Sequence, residues 1–399
     1  MALHRSPLCR RFPAPISLTL LISLSGCALL QPPGDQGKRL PATAGYEKGQ
    51  TIAVMLPTGG DRYSKPAKAI EAGIKDARAR DQQVQRRPEA SFEDSSRNPF
   101  EVYQSLVETD PTIVIGPLLP KHVNEVVEKR TDETPLLALN SADVPAKGVY
   151  QFALKPEDEA STAAALLQEL GLEPAVVVYP ADDPWGERLK NGFLAKMPDA
   201  EAISYGSGGL SSRGKLQAAE AKAAFLVVRP ERAGAVYQDL GGMNAPMPII
   251  ASSHASDERG QYEDLEGLFY VDIPWLVNQD AIKANLEGGV EIDREYTKGT
   301  MGRLYAMGVD AYYLGARIVN GESPAVTLEH GLTGELTFTK TGRLLSRRLA
   351  LGRFVAIEGS DQVIPKPSSI EVLREAASSG AADETKDDDD AQATEEKNG

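Results

Sequence analysis

Short continuous apolar runs, separated by amphipathic stretches, constrain the fold of this chain more than any other feature. Thr51–Leu56, Thr112–Gly116, Pro135–Asn140, Ala175–Tyr179, Ala223–Val228 and Pro248–Ser252 are too short for ordinary helices. They also lack the alternation of strands that face water on one side. Strands of this kind need cover on both faces, which is the condition of a parallel sheet with helices above and below. The intervening segments have helical spacing. Ser64 reads as the N-cap of a helix that buries Ala69, Ile70, Gly73, Ile74 and Ala77, and a second helix fits 120–130. Pro156-Glu157-Asp158-Glu159 suits the positive end of a helix dipole, and Gly171 suits that helix's stop. Further helices fit 184–197 and 231–240. Val149–Leu154 and Leu268–Trp275 read as strands. The stretch 301–319 predicts a helix burying one face through Met301, Leu304, Tyr305, Gly308, Tyr312, Ala316 and Val319. Gly334–Phe338 and Leu344–Ile357 predict an antiparallel end piece turned by Lys340-Thr341-Gly342.

The α/β pattern restarts near residue 155, so the expected body is two-lobed, each lobe a mostly parallel sheet flanked by helices. Lobe 1 takes about 51–154 plus 278–325, and lobe 2 about 155–277 plus 326–358. Residues 359–399 form a C-terminal segment ending in an acidic tail. From Ser378 onward eight acids face only Lys386 and Lys397, without apolar periodicity, which predicts a disordered, solvated tail.

The amino terminus reads as a targeting segment. Arg5, Arg10 and Arg11 precede a short apolar run, Ile16–Leu24, far below the roughly twenty residues that span a bilayer. Leu24-Ser25-Gly26-Cys27 resembles a bacterial lipobox, which makes 1–26 a signal peptide and Cys27 the lipidation site. In lipoproteins of this kind an Asp after the cysteine tends to retain the protein at the inner membrane, so Ala28 implies the outer membrane. Residues 27–50 read as a lipid-anchored flexible linker, rich in Pro and Gly, reaching roughly 65–70 Å when extended. Cys9 would leave with the signal and Cys27 be acylated, so the mature chain keeps no thiol and relies on an ordinary core.

Composition excludes several functions. The formal net charge is −14, and removing the signal's three arginines makes it more negative, which argues against nucleic acid as a partner. Asp387–Asp390 lacks the turn and flanking helix of a calcium loop, so no metal is expected. No catalytic constellation stands out: the mature chain holds His122, His254 and His330, no thiol and no Gly-x-Ser-x-Gly elbow. Gly206-Ser207-Gly208-Gly209 lacks the Lys-Ser/Thr of a phosphate loop and reads as a flexible connection. No cofactor and no enzyme activity are expected.

Ordered pieces of the chain carry a resemblance. Ile52–Pro57, Ile115–Leu119, Leu137–Asn140, Tyr150–Leu154 leading into Pro156–Ala160, Asp183–Gly186, Asp272–Leu276, Arg303–Tyr312 and Gly331–Gly334 occur in the family's order across about 51–358. Together they resemble the periplasmic-binding-protein type I fold. More narrowly, they resemble the carboxy-terminal domain of LpoA-type lipoproteins (the LppC family), activators of penicillin-binding proteins. The resemblance implies an outer-membrane lipoprotein that binds and activates a bifunctional penicillin-binding protein, the synthase of peptidoglycan. Long members carry a helical, tetratricopeptide-like domain ahead of this one, whereas here a short linker separates Cys27 from Thr51.

A solute-binding lipoprotein of an ABC-type importer is the alternative, since the fold is shared. Type I binders of amino acids hold a carboxylate with a hydroxyl and helix N-terminal amides. Here the matching loop, Gly116-Pro117-Leu118-Leu119-Pro120, offers no hydroxyl, and only Ser141 nearby could substitute. A small-molecule ligand thus stays open but unidentified. Loops at the carboxyl ends of strands line the crevice of such sheets. The candidate interlobe cleft is therefore Thr58, Gly59, Gly116, Pro117, Leu118, Asn140, Ser141, Asp183, Trp185, Ser252, Ser253, Asp272 and Trp275. Trp185 and Trp275 are expected either to plug the lobes or to line this cleft, and Asn140 to bond local backbone.

Overall fold

In a computed structural model the described residues are 45–60, 62–81, 88–256, 260, 262–280, 282, 292–321, 327–339, 342 and 344–379. The expected signal peptide, Cys27, most of the expected linker, Lys340 and Thr341 of the expected turn and the tail from Gly380 lie outside them. No helix among the described residues is long and apolar enough to cross a membrane.

Lobe 1 is built on five parallel strands in the order β2-β1-β3-β4-β5: β1 Thr51–Leu56, β2 Glu89–Asp94, β3 Ile113–Ile115, β4 Leu136–Ala138 and β5 Val149–Gln151. Helix α1 (Ser64–Arg80) covers one face, and α2 (Pro99–Val107) with α3 (Pro120–Lys129) covers the other. The central strands are buried along their length, as continuous apolar runs require. Edge strand β2, with the sequence EASFED, carried no apolar run.

Lobe 2 holds β6 Ala175–Pro180, β7 Glu201–Tyr205, β8 Ala223–Leu226, β9 Ile249–Ala251 and β10 Phe269–Asp272 in parallel. Strands β14 (Ala350–Ala356) and β15 (Val363–Pro367) extend it antiparallel, giving the order β15-β14-β10-β9-β8-β6-β7. Helices α4 (Pro156–Glu169) and α5 (Pro184–Leu194), with a C-terminal helix at 370–379, pack on one face. Helices α6 (Ser212–Ala219) and α7 (Pro230–Asp239) pack on the other.

Between the lobes run a short helix α8 (Pro274–Val277), the long helix α9 (Gly299–Val319) and a small sheet of β11 (Thr327–Gly331), β12 (Gly334–Phe338) and β13 (Leu344–Arg348). Helix α9 is buried around most of its circumference, not on one stripe, because it is sandwiched in the lobe 1 core. Gly73 of α1 and Gly308 of α9 bring the two backbones together. A Cβ on Gly308 would sit 2.0 Å from the Ile70 carbonyl oxygen.

Several expectations need correction. The segment 326–358 does not belong wholly to lobe 2. Leu328, Leu332, Leu336 and Phe338 join the lobe 1 core. Buried Asp310 of α9 accepts from the Leu332 and Thr333 amides and the Thr333 hydroxyl (2.7, 2.7 and 2.6 Å). The chain therefore returns to lobe 2 only at Leu349, so 344–357 is split between two sheets instead of forming one strand. The boundary at 358 also falls inside the body, since β15 pairs with β14 and Leu373 of the following helix is fully buried. Leu268–Trp275 breaks at Ile273, where Pro274 starts α8. Ser64 does not cap α1 by its side chain: its hydroxyl donates to the Thr58 carbonyl at 2.7 Å. The Gly206–Gly209 run is a closed turn, bridged by both backbone hydrogen bonds between its ends.

Candidate functional site

Lobe 1 contributes the loops after β1, β3 and β4. Gly59 donates its amide to Asp94 at the end of β2 (2.9 Å). That bond and those from Ser96 outweigh partial burial and hold the Asp94 carboxyl below the usual carboxylate range. Gly116 adopts φ +109° with its Cα against the Met55 carbonyl, a place where no side chain fits. Gly116, Pro117 and Leu118 are buried, and the last two carbonyls are occupied: Leu139 N donates to Pro117 O (3.0 Å) and Asn140 Nδ2 to Leu118 O (3.1 Å). Asn140 Oδ1 accepts from Ser141 N at 2.9 Å, so the asparagine bonds local backbone as expected and also ties two loops. Residues 116–118 thus support the cleft floor and do not face open space.

Lobe 2 contributes charged residues. Asp183 caps α5 through the Trp185 amide (2.9 Å) and pairs with Arg229, which follows β8, at 3.1 Å. Partial burial works against ionisation of Asp183, but these partners outweigh it and hold its carboxyl low. Arg229 lays its guanidinium over the Trp185 ring at 4.1 Å, and His254 meets the same ring edge-on at 4.6 Å. Trp185 is half-buried in this stack.

Deeper lies a second network. Ser253, 1% exposed, donates its amide and its hydroxyl to Glu159 of α4, both at 2.8 Å. Arg303 of α9 grips Asp272 with two bonds (3.0 and 2.6 Å) and donates to the Ser253 carbonyl at 3.2 Å. Burial pushes Glu159 up to about 7, against the pull of Ser253 and Arg303. Burial, then the charges of Arg303 and Arg229, push His254 down to about 4, so its ring is neutral. Ser252 is fully buried and holds the Val228 backbone (3.2 Å).

Trp275 leaves the candidate site. It is fully buried, its Nε1 donates to the Tyr296 carbonyl (2.9 Å), and it packs on Tyr305, so it plugs lobe 1. Sequence reasoning missed three members: Glu159, Arg229 and Arg303. Glu159 looked fully explained by its place in a helix first turn, yet it reaches a serine 94 positions away. Of its neighbours, Glu157 pairs with Arg188 and Asp158 with buried Arg347.

The arrangement fastens elements together. Ser253 Oγ lies 3.4 Å from His254 Nδ1, but the hydroxyl is buried and committed to Glu159, so it presents no nucleophile. No cluster of three metal-ligating side chains occurs among the described residues. A cavity of about 440 Å³ opens beside Thr58 and Gly59 against Lys68, Glu71 and Lys75 of α1. A larger one, about 610 Å³, lies at the far end of lobe 2.

Two mostly parallel, helix-flanked sheets joined by three chain crossings define a periplasmic-binding-protein-like type I fold. The model of the family described as "LppC putative lipoprotein" matches residues 44–202 and 206–351, and the chain belongs to that family. It is similar to the penicillin-binding protein activator LpoA of Mannheimia succiniciproducens, 28% identical over 72% of this chain and 51% of that protein. The chain spans about half the length of the curated relatives it matches. Among solved structures, the C-domain of Haemophilus influenzae LpoA, described as a regulator of PBP1A, superposes with TM-score 0.63 at 22% identity, over 79% of this chain and 99% of that one. A Chromobacterium violaceum structure described as "a putative branched-chain amino acid ABC transporter" gives TM-score 0.63 at 23% identity, over 76% of this chain and 99% of that one.

Proposed function

We propose that this chain is an outer-membrane lipoprotein, anchored at Cys27, that binds a bifunctional penicillin-binding protein and raises its peptidoglycan-synthetic activity. The observation that carries the reading is the family match, which runs through both lobes and joins relatives named penicillin-binding protein activators. The lipobox-like Leu24–Cys27 and Ala28 motivate the anchor and its membrane. The cleft supports a binding role without chemistry, since Asp183, Arg229, Glu159, Ser253, Arg303 and Asp272 are engaged with one another.

The test is glycan polymerisation and crosslinking by a purified bifunctional synthase, with and without the full-length lipidated protein. A several-fold rise is expected, and unchanged rates with no detectable binding sink the reading. Cys27→Ala should abolish lipid labelling and release the protein from the membrane fraction.

A solute-binding lipoprotein is the second reading, favoured by the likeness to the Chromobacterium structure. It predicts micromolar binding of a free amino acid. The buried Gly116–Leu118 loop, with its Pro117 and Leu118 carbonyls already bonded, speaks against that.

A further inference from the structure

An acid, a hydroxyl and a histidine ring follow one another in the lobe 2 wall of the cleft. Glu159 Oε1 accepts from Ser253 Oγ at 2.8 Å, and the same Oγ lies 3.4 Å from His254 Nδ1. The Ser253 amide holds the other carboxylate oxygen, Oε2, at 2.8 Å. Glu159 and His254 thus share one hydroxyl, which has a single hydrogen to give and lone pairs to accept with. Among the described residues the Glu159 carboxylate accepts from Ser253 alone. His254 is half-buried with its ring against Trp185, and its Nε2 has no hydrogen-bond partner among the described residues.

The charges around this chain of groups let the acid titrate while the ring stays neutral. On α4 itself, Glu157 pairs with Arg188 of α5 (2.8 Å) and Asp158 with Arg347 of β13 (3.2 Å), and Lys155 acts on both. From β10 the charge of Asp272 opposes ionisation of Glu159, and from α9 that of Arg303 favours it. Arg303 is bonded to Asp272, so the two offset each other at Glu159. Burial then decides the balance and lifts Glu159 to about 7, so both of its states are populated near neutrality. At His254, Arg303 and Arg229 repel a second proton and Asp183 attracts one, with burial on the side of the arginines. The ring therefore remains neutral, at about 4, throughout the range in which Glu159 changes state.

We infer that Glu159, Ser253 and His254 form a proton-driven tautomer switch in the cleft wall, in which one proton at Glu159 decides which ring nitrogen of His254 carries hydrogen. With Glu159 ionised, the Ser253 hydroxyl donates to Oε1 and its oxygen accepts from His254 Nδ1–H, leaving Nε2 as an acceptor. With Glu159 protonated from solvent, its O–H donates to Ser253 Oγ and the hydroxyl turns to donate to Nδ1. The Nδ1 hydrogen leaves to water and another binds Nε2, so the ring gains no charge and the site takes up one proton in all. The ring stacked on Trp185 thus offers an acceptor at higher pH and a donor at lower pH. The switch is independent of which partner the protein serves.

The test is nitrogen-15 NMR of the full-length chain carrying labelled histidine, titrated from about pH 5.5 to about 8.5. The His254 signals are assigned by their loss in His254→Asn. In the wild type the two ring nitrogens should exchange protonated and unprotonated shifts, with a midpoint near 7. Glu159→Gln keeps the side chain's shape and puts an N–H donor where the protonated oxygen would be. It should hold His254 in the Nε2–H form at every pH, with complete loss of the midpoint. Ser253→Ala removes the shared hydroxyl and should likewise abolish the exchange while Glu159 still titrates. A wild-type ring that keeps one tautomer throughout, or that takes protons on both nitrogens near neutrality, overturns the inference whatever the stability of the variants. An exchange that survives unchanged in Glu159→Gln or in Ser253→Ala overturns it as well.

Discussion

Lobe 1 and lobe 2 are both three-layered, yet their interiors are joined by different means. In lobe 1 the helices α1 and α9 meet backbone to backbone through Gly73 and Gly308, and the buried acid Asp310 is satisfied by two amides and a hydroxyl. In lobe 2 the pair α4 and α5 stays a little further apart, a Cβ on Gly192 meeting the Ala160 Cβ at 3.3 Å and Glu157 at 3.4 Å, and the buried acid Asp272 is satisfied by the Ile273 amide and, from lobe 1, by Arg303 of α9. The first joint spends neutral donors on a carboxylate that burial still raises to about 6, whereas the second sets a cation against its acid. The cleft inherits the contrast, with a buried backbone floor on one side and paired charges on the other.

The largest test of this contrast is Asp310→Ala. It strands three buried donors at once and should cost about 3–5 kcal/mol in denaturant unfolding. A loss below about 1 kcal/mol would mean that the small sheet is not pinned to lobe 1 by this carboxylate.

Next is Glu159→Gln. The folded-state value of Glu159, about 7, lies above its unfolded value of 4.5. The unfolded chain therefore gives up its proton first, and stability falls as pH rises between those two values. The wild type should lose up to about 3 kcal/mol across that window, whereas the variant should show a flatter profile. Parallel profiles would place the pH response elsewhere.

The smallest effect separates the two helix contacts. Gly308→Ala forces a Cβ into the Ile70 carbonyl and should cost about 2 kcal/mol. Gly192→Ala meets only side chains and a Cα at 3.3–3.4 Å and should stay within about 1 kcal/mol, with helix propensity offsetting the crowding. Equal losses would erase the distinction between the lobes.

The central strands were legible in the sequence because a strand covered on both faces has no polar position, so β1, β3, β4, β6, β8 and β9 announce themselves locally. The two-lobed plan followed from their alternation with helices, and the motif order pointed to the family. Edge strands β2 and β7 were not legible. EASFED and EAISY are half-exposed, and only their neighbours' free hydrogen-bonding groups make them strands. The placement of 327–348 with lobe 1 was equally hidden, since it depends on Asp310 reaching Leu332 and Thr333 across a helix-to-sheet gap. The same holds at the cleft. Asp183, Ser253 and Asp272 stand out in the sequence as candidates by their position at strand ends, but Glu159, Arg229 and Arg303 acquire their contacts from partners 94, 46 and 31 positions away. Apolar spacing is a property of the chain and can be read along it. The pairing of a charge is decided by which groups share its loss of water, and only the tertiary structure determines that.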